Sequence, residues 1–279
     1  MKIYKGKTDW KDSFQELADC WAEKGYCETI RSIDNFSWAV AGKNKRAVLL
    51  YEYDRLGEIP SRETWDINND LGLFANDQHK QGKPWIYWPR HIKNVEGVLS
   101  EGKIEKDIES IFVGAAENPI QYVNRTNYDW SLSVQHFEFK NALFKKDYHT
   151  YSNIDFLKLI ARAKFGLSLE GYGPKCQRDI EYMANGVVPI FTWNKFNDYH
   201  HPLVEDTHYL FARNPKEAKQ KIESTMVRLA LEAIEEAKQK IESTSNEKWQ
   251  EMSLNCRDWF QQNCSIEGSF KATLEAMNE

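Results

Sequence analysis

One stretch, residues 164–193, limits the fold of this chain more than any other: KFGLSLEGYGPKCQRDIEYMANGVVPIFTW. It contains an apolar strand pattern at residues 165–169, a glycine loop, a helical pattern and a second apolar run at residues 187–191. Strand–helix–strand units of this kind pair their strands in parallel, and parallel sheets bury their faces beneath helices. We therefore predict an α/β protein built around a parallel sheet.

The helix inside this stretch sorts its residues onto two faces at about 100° per residue. One face is apolar and consists of Ile180, Met183, Ala184 and Val187. The opposite face is charged and consists of Lys175, Arg178 and Glu181. We predict that the apolar face packs on the sheet and that the charged face turns towards a ligand.

Two glycines, Gly171 and Gly173, precede this helix. Because glycine has no side chain, the backbone there can approach a ligand closely, and the N-terminus of the following helix attracts anions. A cation and a carboxylate that face the same ligand suit a phosphorylated, hydroxyl-rich molecule. Nucleotide-sugars fit that description.

Composition argues against a broad nucleic-acid surface, since the 279-residue chain has a formal net charge of −5. Its five cysteines show no metal-binding spacing, which favours free thiols in a reducing compartment. The first residues resemble neither a signal peptide nor a transit peptide, and no apolar run reaches the length of a membrane span. We expect a cytoplasmic protein with no membrane span and no nucleic-acid partner.

Two α/β halves are predicted: an N-terminal acceptor-side domain at residues 1–95 and a C-terminal nucleotide-sugar-binding domain at residues 96–279. The charged segment 90–107 is interpreted as the crossover between them. Strand patterns in the first half occur at residues 2–4, 26–30, 37–40 and 47–53, with a helix at 10–23. The second half has strand patterns at 108–115, 134–139 and near 208–211, and a helix at 154–163 that Ser152 or Asn153 caps.

Carboxylates follow several strand patterns of the first half, namely Glu52, Asp54 and Asp77. Ligands of open α/β sheets sit beyond the carboxyl ends of the strands, so these side chains are candidates for a general base. We rank Asp77 first and Glu52 second as the catalytic residue.

The sequence has no HExxH, CxxC or clean Asp-x-Asp spacing of the kind that holds a metal. Without a metal, a departing nucleotide diphosphate needs fixed positive charge and a helix N-terminus to stabilise its developing charge. Arg125, Lys175 and Arg178 can supply the charge, and Glu181 can accept hydrogen bonds from ribose hydroxyls. We expect no resident cofactor, the nucleotide-sugar being a co-substrate.

Three blocks, in order along the chain, resemble the exostosin-like family of GT-B glycosyltransferases. They are WIYWPRHI, IFVGAAENPIQYVNR and ARAKFGLSLEGYGPKCQRDIEYMANGVVPIF, together covering roughly residues 85–193. The last block is the most specific, because in that family an Arg and a Glu on one helix contact the nucleotide-sugar.

The resemblance implies a GT-B fold, with two Rossmann-like domains facing a cleft. It also implies inverting transfer from a UDP-sugar, such as UDP-xylose, UDP-glucuronate or UDP-galactose, to a glycan or glycoprotein hydroxyl. Carried across by position, the donor contacts fall on Arg125, Gly173, Arg178 and Glu181. Tyr172 and Lys175 of the same loop complete the predicted donor-binding set.

Two departures from the family leave the donor open: the N-terminal half is short, and Lys175-Cys176 replaces the usual aromatic or small residues. Residues 65–77 followed by KFGLSLEG also resemble α1,3-fucosyltransferases, which use GDP-fucose. A further alternative is a noncatalytic protein that binds nucleotides or glycans.

The C-terminal part contains a direct repeat, EAKQKIEST, at residues 217–225 and 236–244. We interpret it as a local duplication that lengthens a surface helix. Beyond it, Trp249, Met252, Cys256 and Trp259 recur at helical spacing and predict a terminal helix that can pack across both halves.

Overall fold

The computed structural model of the protein describes residues 2–5, 13–31, 38–41, 46–49, 88–102, 104–145, 148–171, 176–192, 199, 201–236 and 247–276. The first elements along the chain are β1 (Lys2–Lys5), α1 (Ser13–Glu23), β2 (Glu28–Arg31), β3 (Trp38–Ala41) and β4 (Arg46–Leu49). These strands form a mixed sheet in the order β2-β1-β3-β4, in which only the β1–β2 pair is parallel. The short link between β3 and β4 explains their antiparallel pairing, because a parallel pair needs a long crossover.

The second half follows an alternating pattern of strands and helices. In chain order its elements are α2 (Ile92–Ser100), β5 (Ile108–Ala116), α3 (Pro119–Thr126), β6 (His136–Asn141), α4 (Ala142–Lys145), α5 (Asn153–Ala161), β7 (Ala163–Ser168), α6 (Gln177–Ala184), β8 (Val188–Phe191), β9 (Leu210–Phe211), α7 (Pro215–Glu236), α8 (Glu247–Asn263) and α9 (Ile266–Ala276). The strands form a five-stranded sheet in the order β6-β5-β7-β8-β9, and every neighbouring pair is parallel. The prediction of a parallel α/β sheet is confirmed, and the arrangement is compatible with a Rossmann-like fold.

Side-chain caps fix the starts of two crossover helices. Asn118 precedes Pro119 of α3 and accepts a hydrogen bond from the Gln121 amide at 2.9 Å. Ser152 precedes α5 and accepts one from the Asp155 amide at 3.1 Å, which confirms one of the two predicted caps. Such caps satisfy amides that have no partner inside the helix, and they define where each crossover turns back towards the sheet.

Segment 90–107 is more than the crossover that its charge suggested, because it contains α2. Ile92, Val95 and Val98 of this helix are buried, and their regular spacing places them on one face. Val95 and Val98 belong to the core of the five-stranded sheet. The helix therefore spans the predicted domain boundary at residue 95 and packs on the second half.

The predicted faces of α6 are only half right. Ile180, Met183 and Ala184 are buried as expected, but Glu181 on the opposite side is only 6% exposed. The reason is that α6 contacts α2, α5 and α8 as well as the sheet. Helical spacing alone did not predict this burial of Glu181, and its orientation towards a ligand stays a prediction.

The single terminal helix predicted to pack across both halves is two helices, which divide that role. Trp249, Met252, Cys256 and Trp259 of α8 are buried in the core of the second half. The next helix, α9, packs on α1, and the Trp21 indole donates a hydrogen bond to the Ile266 carbonyl at 2.8 Å. The Phe270 ring also contacts the rings of Trp21 and Tyr26.

The first copy of the repeat lies in α7, and nearly all of the second lies outside the described residues. All five cysteines are free thiols, as predicted. Within the described part of the chain, none of the helices is long and apolar enough to cross a membrane.

Candidate functional site

Two neighbouring strands of the five-stranded sheet separate before their carboxyl ends. The pairing of β5 with β7 ends at Ile111 and Gly166, although β5 continues beside β6 as far as Ala116. The sheet order also reverses here, since the chain leaves β5 for β6 on one side and later returns to β7 on the other. Ligands of open α/β sheets bind at such a switch point. The gap between the carboxyl-terminal parts of β5 and β7 is termed the seam.

Helix α6 lies along the seam and fills it with two side chains. The Tyr182 hydroxyl lies 3.5 Å from both the Ile111 and the Leu167 carbonyl oxygens, so its ring sits between the strands. Gly166 makes room for that ring, because an added Cβ would lie 2.5 Å from it. Arg178 precedes Tyr182 by four residues and lies on the same side of the helix, one turn nearer the carboxyl edge.

The guanidinium of Arg178 occupies the part of the seam nearest the carboxyl edge of the sheet. Its Cζ lies 4.8 Å from the centroid of the Phe112 ring, a cation–π contact. Its Nη2 approaches the backbone of Gly114 so closely that an added Cβ would lie 2.6 Å away. Glycine at position 114 is thus what allows the cation to enter the strand gap.

Two buried nitrogens of this guanidinium, Nε and Nη1, have no hydrogen-bond partner among the described residues. A buried donor left without an acceptor costs roughly 1–3 kcal/mol, and more when it is charged. Arginine offers five donors in a planar fork that matches phosphate and carboxylate oxygens. The seam therefore holds a cation with donors available to an anionic ligand.

The second predicted arginine, Arg125 of α3, lies at the same edge and is only 8% exposed. Its Nε donates to the Glu170 carbonyl at 3.3 Å, and its Nη1 donates to the Ala115 carbonyl. Its neighbour Asn124 donates to the Gly171 carbonyl at 3.3 Å. Arg125 thus joins the ends of β5 and β7 across the seam, and it adds positive charge beside Arg178.

Glu181 is buried beneath Arg178 on α6. Burial raises the pKa of Glu181 to about 7, and the positive charges of Arg178 and Arg90 oppose that rise. Arg90 belongs to the WIYWPRHI block, so a charge on the segment that enters the second half acts on Glu181. The structure thus places Arg125 and Arg178 beside the same seam, and it buries Glu181 on the helix that carries Arg178. The donor-binding roles of these three residues stay predictions.

The start of α6 depends on a residue that sequence reasoning missed, Asp179. Its carboxylate accepts hydrogen bonds from the Ser168 hydroxyl and, at 3.2 Å, from the Cys176 amide. Ser168 ends β7, so this buried carboxylate fixes the helix N-terminus against the strand before it. The Cys-x-x-Asp spacing was the available signal, because it resembles a capping box.

A second polar cluster that the sequence did not reveal lies on the other side of Gly114. Glu138 of β6 accepts hydrogen bonds from the Tyr151 hydroxyl at 3.0 and 3.2 Å, and His136 Nε2 lies 2.8 Å from it. His149 Nε2 donates to the Gly114 carbonyl at 2.9 Å, and its Nδ1 lies 3.7 Å from Glu138. A strand and a distant loop supply these residues, so no spacing in the sequence marks them.

The remaining predicted residues lie outside the described parts of the chain. These are the loop residues Tyr172, Gly173 and Lys175, and the candidate bases Glu52, Asp54 and Asp77. Their roles stay predictions. Among the described residues, no group of three or more His, Cys, Asp and Glu side chains is arranged to hold a metal ion.

No protein-family model matches the chain, and no curated protein sequence matches it either. The candidate site is therefore defined by its geometry. The geometry consists of a guanidinium at a switch point, two buried donors on it that have no partner in the described part of the chain, and a second arginine across the gap. Such a site can bind a phosphate or diphosphate and can stabilise negative charge that develops on it.

Proposed function

We propose that the protein is a glycosyltransferase that moves a sugar from a nucleotide-sugar to a hydroxyl of a glycan or glycoprotein. The observation that carries the proposal is the position of Arg178, whose buried Nε and Nη1 lack partners among the described residues at the switch point of a parallel sheet. A diphosphate at the seam would supply acceptors for those donors. UDP-sugars, UDP-xylose among them, are the favoured donors on the family resemblance, and GDP-fucose is the alternative.

The reaction that we propose is a single displacement with inversion, in a GT-B arrangement of two domains facing a cleft. The acceptor oxygen forms a bond to the anomeric carbon while the bond from that carbon to the diphosphate breaks. The acceptor proton passes to a carboxylate, for which Asp77 and then Glu52 are our candidates. The electron pair leaves with the nucleoside diphosphate, and Arg178 with Arg125 stabilises its charge.

Cationic side chains take the role that a divalent ion has in other transferases, so we expect turnover without added metal. Arg178 is suited to this role because its planar fork can bind two phosphate oxygens at once. Activity that is retained in EDTA would support this part of the proposal. Activity that requires added Mn²⁺ would contradict it.

The direct test is turnover. Purified protein is incubated with UDP-sugars or GDP-fucose and a panel of glycan acceptors, and release of UDP or GDP is measured. We expect release that depends on both the donor and the acceptor, and Arg178→Met should abolish it. Protein that binds the nucleotide-sugars but releases no nucleotide with any acceptor would contradict the enzymatic proposal and favour a binding protein.

A further inference from the structure

The Tyr151 side chain is fixed by a hydrogen bond at its hydroxyl and by a stacked ring, yet part of its surface is exposed. Its hydroxyl donates to both oxygens of Glu138, and this bond raises the pKa of Tyr151, so the phenol keeps its proton. Its ring stacks on that of His149, with centroids 6.0 Å apart and planes 22° from parallel. The tyrosine nevertheless remains 40% exposed. An aromatic surface is therefore fixed in place at the protein surface.

This ring pair is connected to the seam through a single residue. His149 donates to the carbonyl of Gly114, and the guanidinium of Arg178 rests against the same glycine. Glu138, which accepts the hydrogen bond of the Tyr151 hydroxyl, also lies 3.7 Å from His149 Nδ1. The stacked pair and the arginine thus flank Gly114 at the carboxyl half of β5.

We propose that the Tyr151–His149 pair is the surface on which the base of the nucleotide donor stacks. The inference rests on the proposed function, because it assumes that a diphosphate binds at Arg178. A nucleotide carries a flat base a few bonds from its diphosphate, which matches a flat ring pair beside a phosphate-binding cation. Glu138 is the positioning residue, since it fixes the phenol without itself touching the base.

Stacking on an aromatic ring is tolerant of base identity, because every base has a π-face. The proposal therefore explains binding of the nucleotide part in general, and it applies to uridine and guanosine donors alike. Two χ angles define the orientation of a tyrosine ring. Because the Tyr151 hydroxyl is already hydrogen-bonded, the side chain loses little conformational freedom when a base binds.

The test compares ligands with and without a base. Isothermal titration calorimetry on the full chain measures the affinities of UDP, GDP and inorganic pyrophosphate for the wild type, Tyr151→Ala, Tyr151→Phe and Arg178→Met. We expect Tyr151→Ala to weaken UDP and GDP roughly tenfold and to leave pyrophosphate unchanged. Tyr151→Phe, which keeps the ring, should lose no more than about threefold. Arg178→Met should weaken all three ligands.

A matched control is Tyr128→Ala, which removes another exposed tyrosine, 50% accessible, from outside the cluster. It should leave all three affinities unchanged. The stacking proposal is wrong if Tyr151→Ala leaves UDP and GDP binding intact while Arg178→Met weakens it, and that result would leave the proposed function standing. An equal loss for pyrophosphate would also overturn it. If the wild type binds none of the three ligands, the proposed function fails, and the inference fails with it.

Discussion

The two ends of helix α6 both have a basic side chain, but contacts within the fold explain only the one at the C-terminal end. At the C-terminal end, Lys106 donates to the Asn185 carbonyl at 2.8 Å and to the Ala163 carbonyl at 2.9 Å. The last carbonyls of a helix have no partner inside it, so a lysine donor at this end satisfies them. The lysine thus caps the helix and joins it to β7, and its presence is explained by structure.

At the N-terminal end the same helix carries Arg178, where a cation opposes the helix dipole. The helix dipole disfavours a positive charge at this position, and Asp179 already accepts the hydrogen bond of the Cys176 amide at the helix N-terminus. Arg257, near the C-terminal end, also has a buried Nε without a partner among the described residues. An unsatisfied guanidinium alone therefore does not mark a site. Arg178 is distinguished by its position, because it lies at the end of a helix where a cation is unfavourable and at the switch point of the sheet.

A substitution that disturbs the packing of the middle of α6 should change the stability of the fold. Gly166→Ala places a Cβ 2.5 Å from the rigid, fully buried ring of Tyr182, so we expect a loss of about 3 kcal/mol or more in the free energy of unfolding. Urea denaturation measures this. The matched control is Gly97→Ala in α2, where an added Cβ meets nothing within 4 Å. That variant should gain about 0.5–1 kcal/mol, and equal effects at both glycines would contradict the packing.

Glu181 should make stability fall as pH rises. Its folded pKa of about 7 exceeds the usual 4.5, so the folded state binds more protons than the unfolded state between these values. The free energy of unfolding therefore decreases from pH 4.5 to pH 7, by up to about 3 kcal/mol. Glu181→Gln should flatten this slope in urea titrations across that range. Parallel curves for the wild type and the variant would contradict the buried carboxyl, and the exposed Glu117→Gln is the control.

Lys106 should have the opposite effect at higher pH. Burial, aided by the charge of Arg257, lowers the pKa of Lys106 from 10.5 to about 7, so the unfolded state binds more protons in that window. Stability should rise by about 2 kcal/mol between pH 7 and pH 9, and Lys106→Met should remove that rise. The exposed Lys219→Met should keep it. If Lys106→Met shows the same rise, this end of α6 does not hold a buried lysine.

The smallest change in stability, with a clear change in binding, is expected for Gly114→Ala. The added Cβ meets the Arg178 guanidinium, which is the far end of a flexible side chain, and the Phe112 ring at 2.9 Å. We expect about 1 kcal/mol of destabilisation, since the arginine can move away. Nucleotide affinity should nevertheless fall about tenfold, because the cation leaves the seam. If Gly114→Ala shows this small destabilisation but binds UDP or GDP with wild-type affinity, Gly114 does not position Arg178.

The sequence predicted the parallel sheet because β7 and β8 are short apolar runs on either side of a helix, and few folds accommodate that pattern. The family resemblance pointed to Arg125, Arg178 and Glu181 as donor contacts, and the structure brings Arg125 and Arg178 to the same seam. The cap at Ser152 was predictable for a local reason, because the serine and the amide that it accepts from are only three residues apart.

The burial of Glu181 could not be predicted from helical spacing, because the covering elements α2 and α8 are distant in sequence. The same holds for the cluster of Glu138, His149 and Tyr151, whose contacts exist only after a strand and a loop have folded together. Local periodicity gives the face of a helix, but not what lies against that face. The sequence could therefore not reveal those contacts of the site that join residues far apart along the chain.

Arg178 makes a cation–π contact within the fold, but we infer that its charge serves mainly a ligand, and one variant tests this most directly. Arg178→Met keeps the stem that packs near Phe112 and removes the charge. UDP and GDP affinity is measured by calorimetry, and the free energy of unfolding is measured on the same sample. We predict at least a 100-fold loss of affinity, with stability changed by less than about 1 kcal/mol. Unchanged affinity, alone or together with a large loss of stability, would contradict the claim.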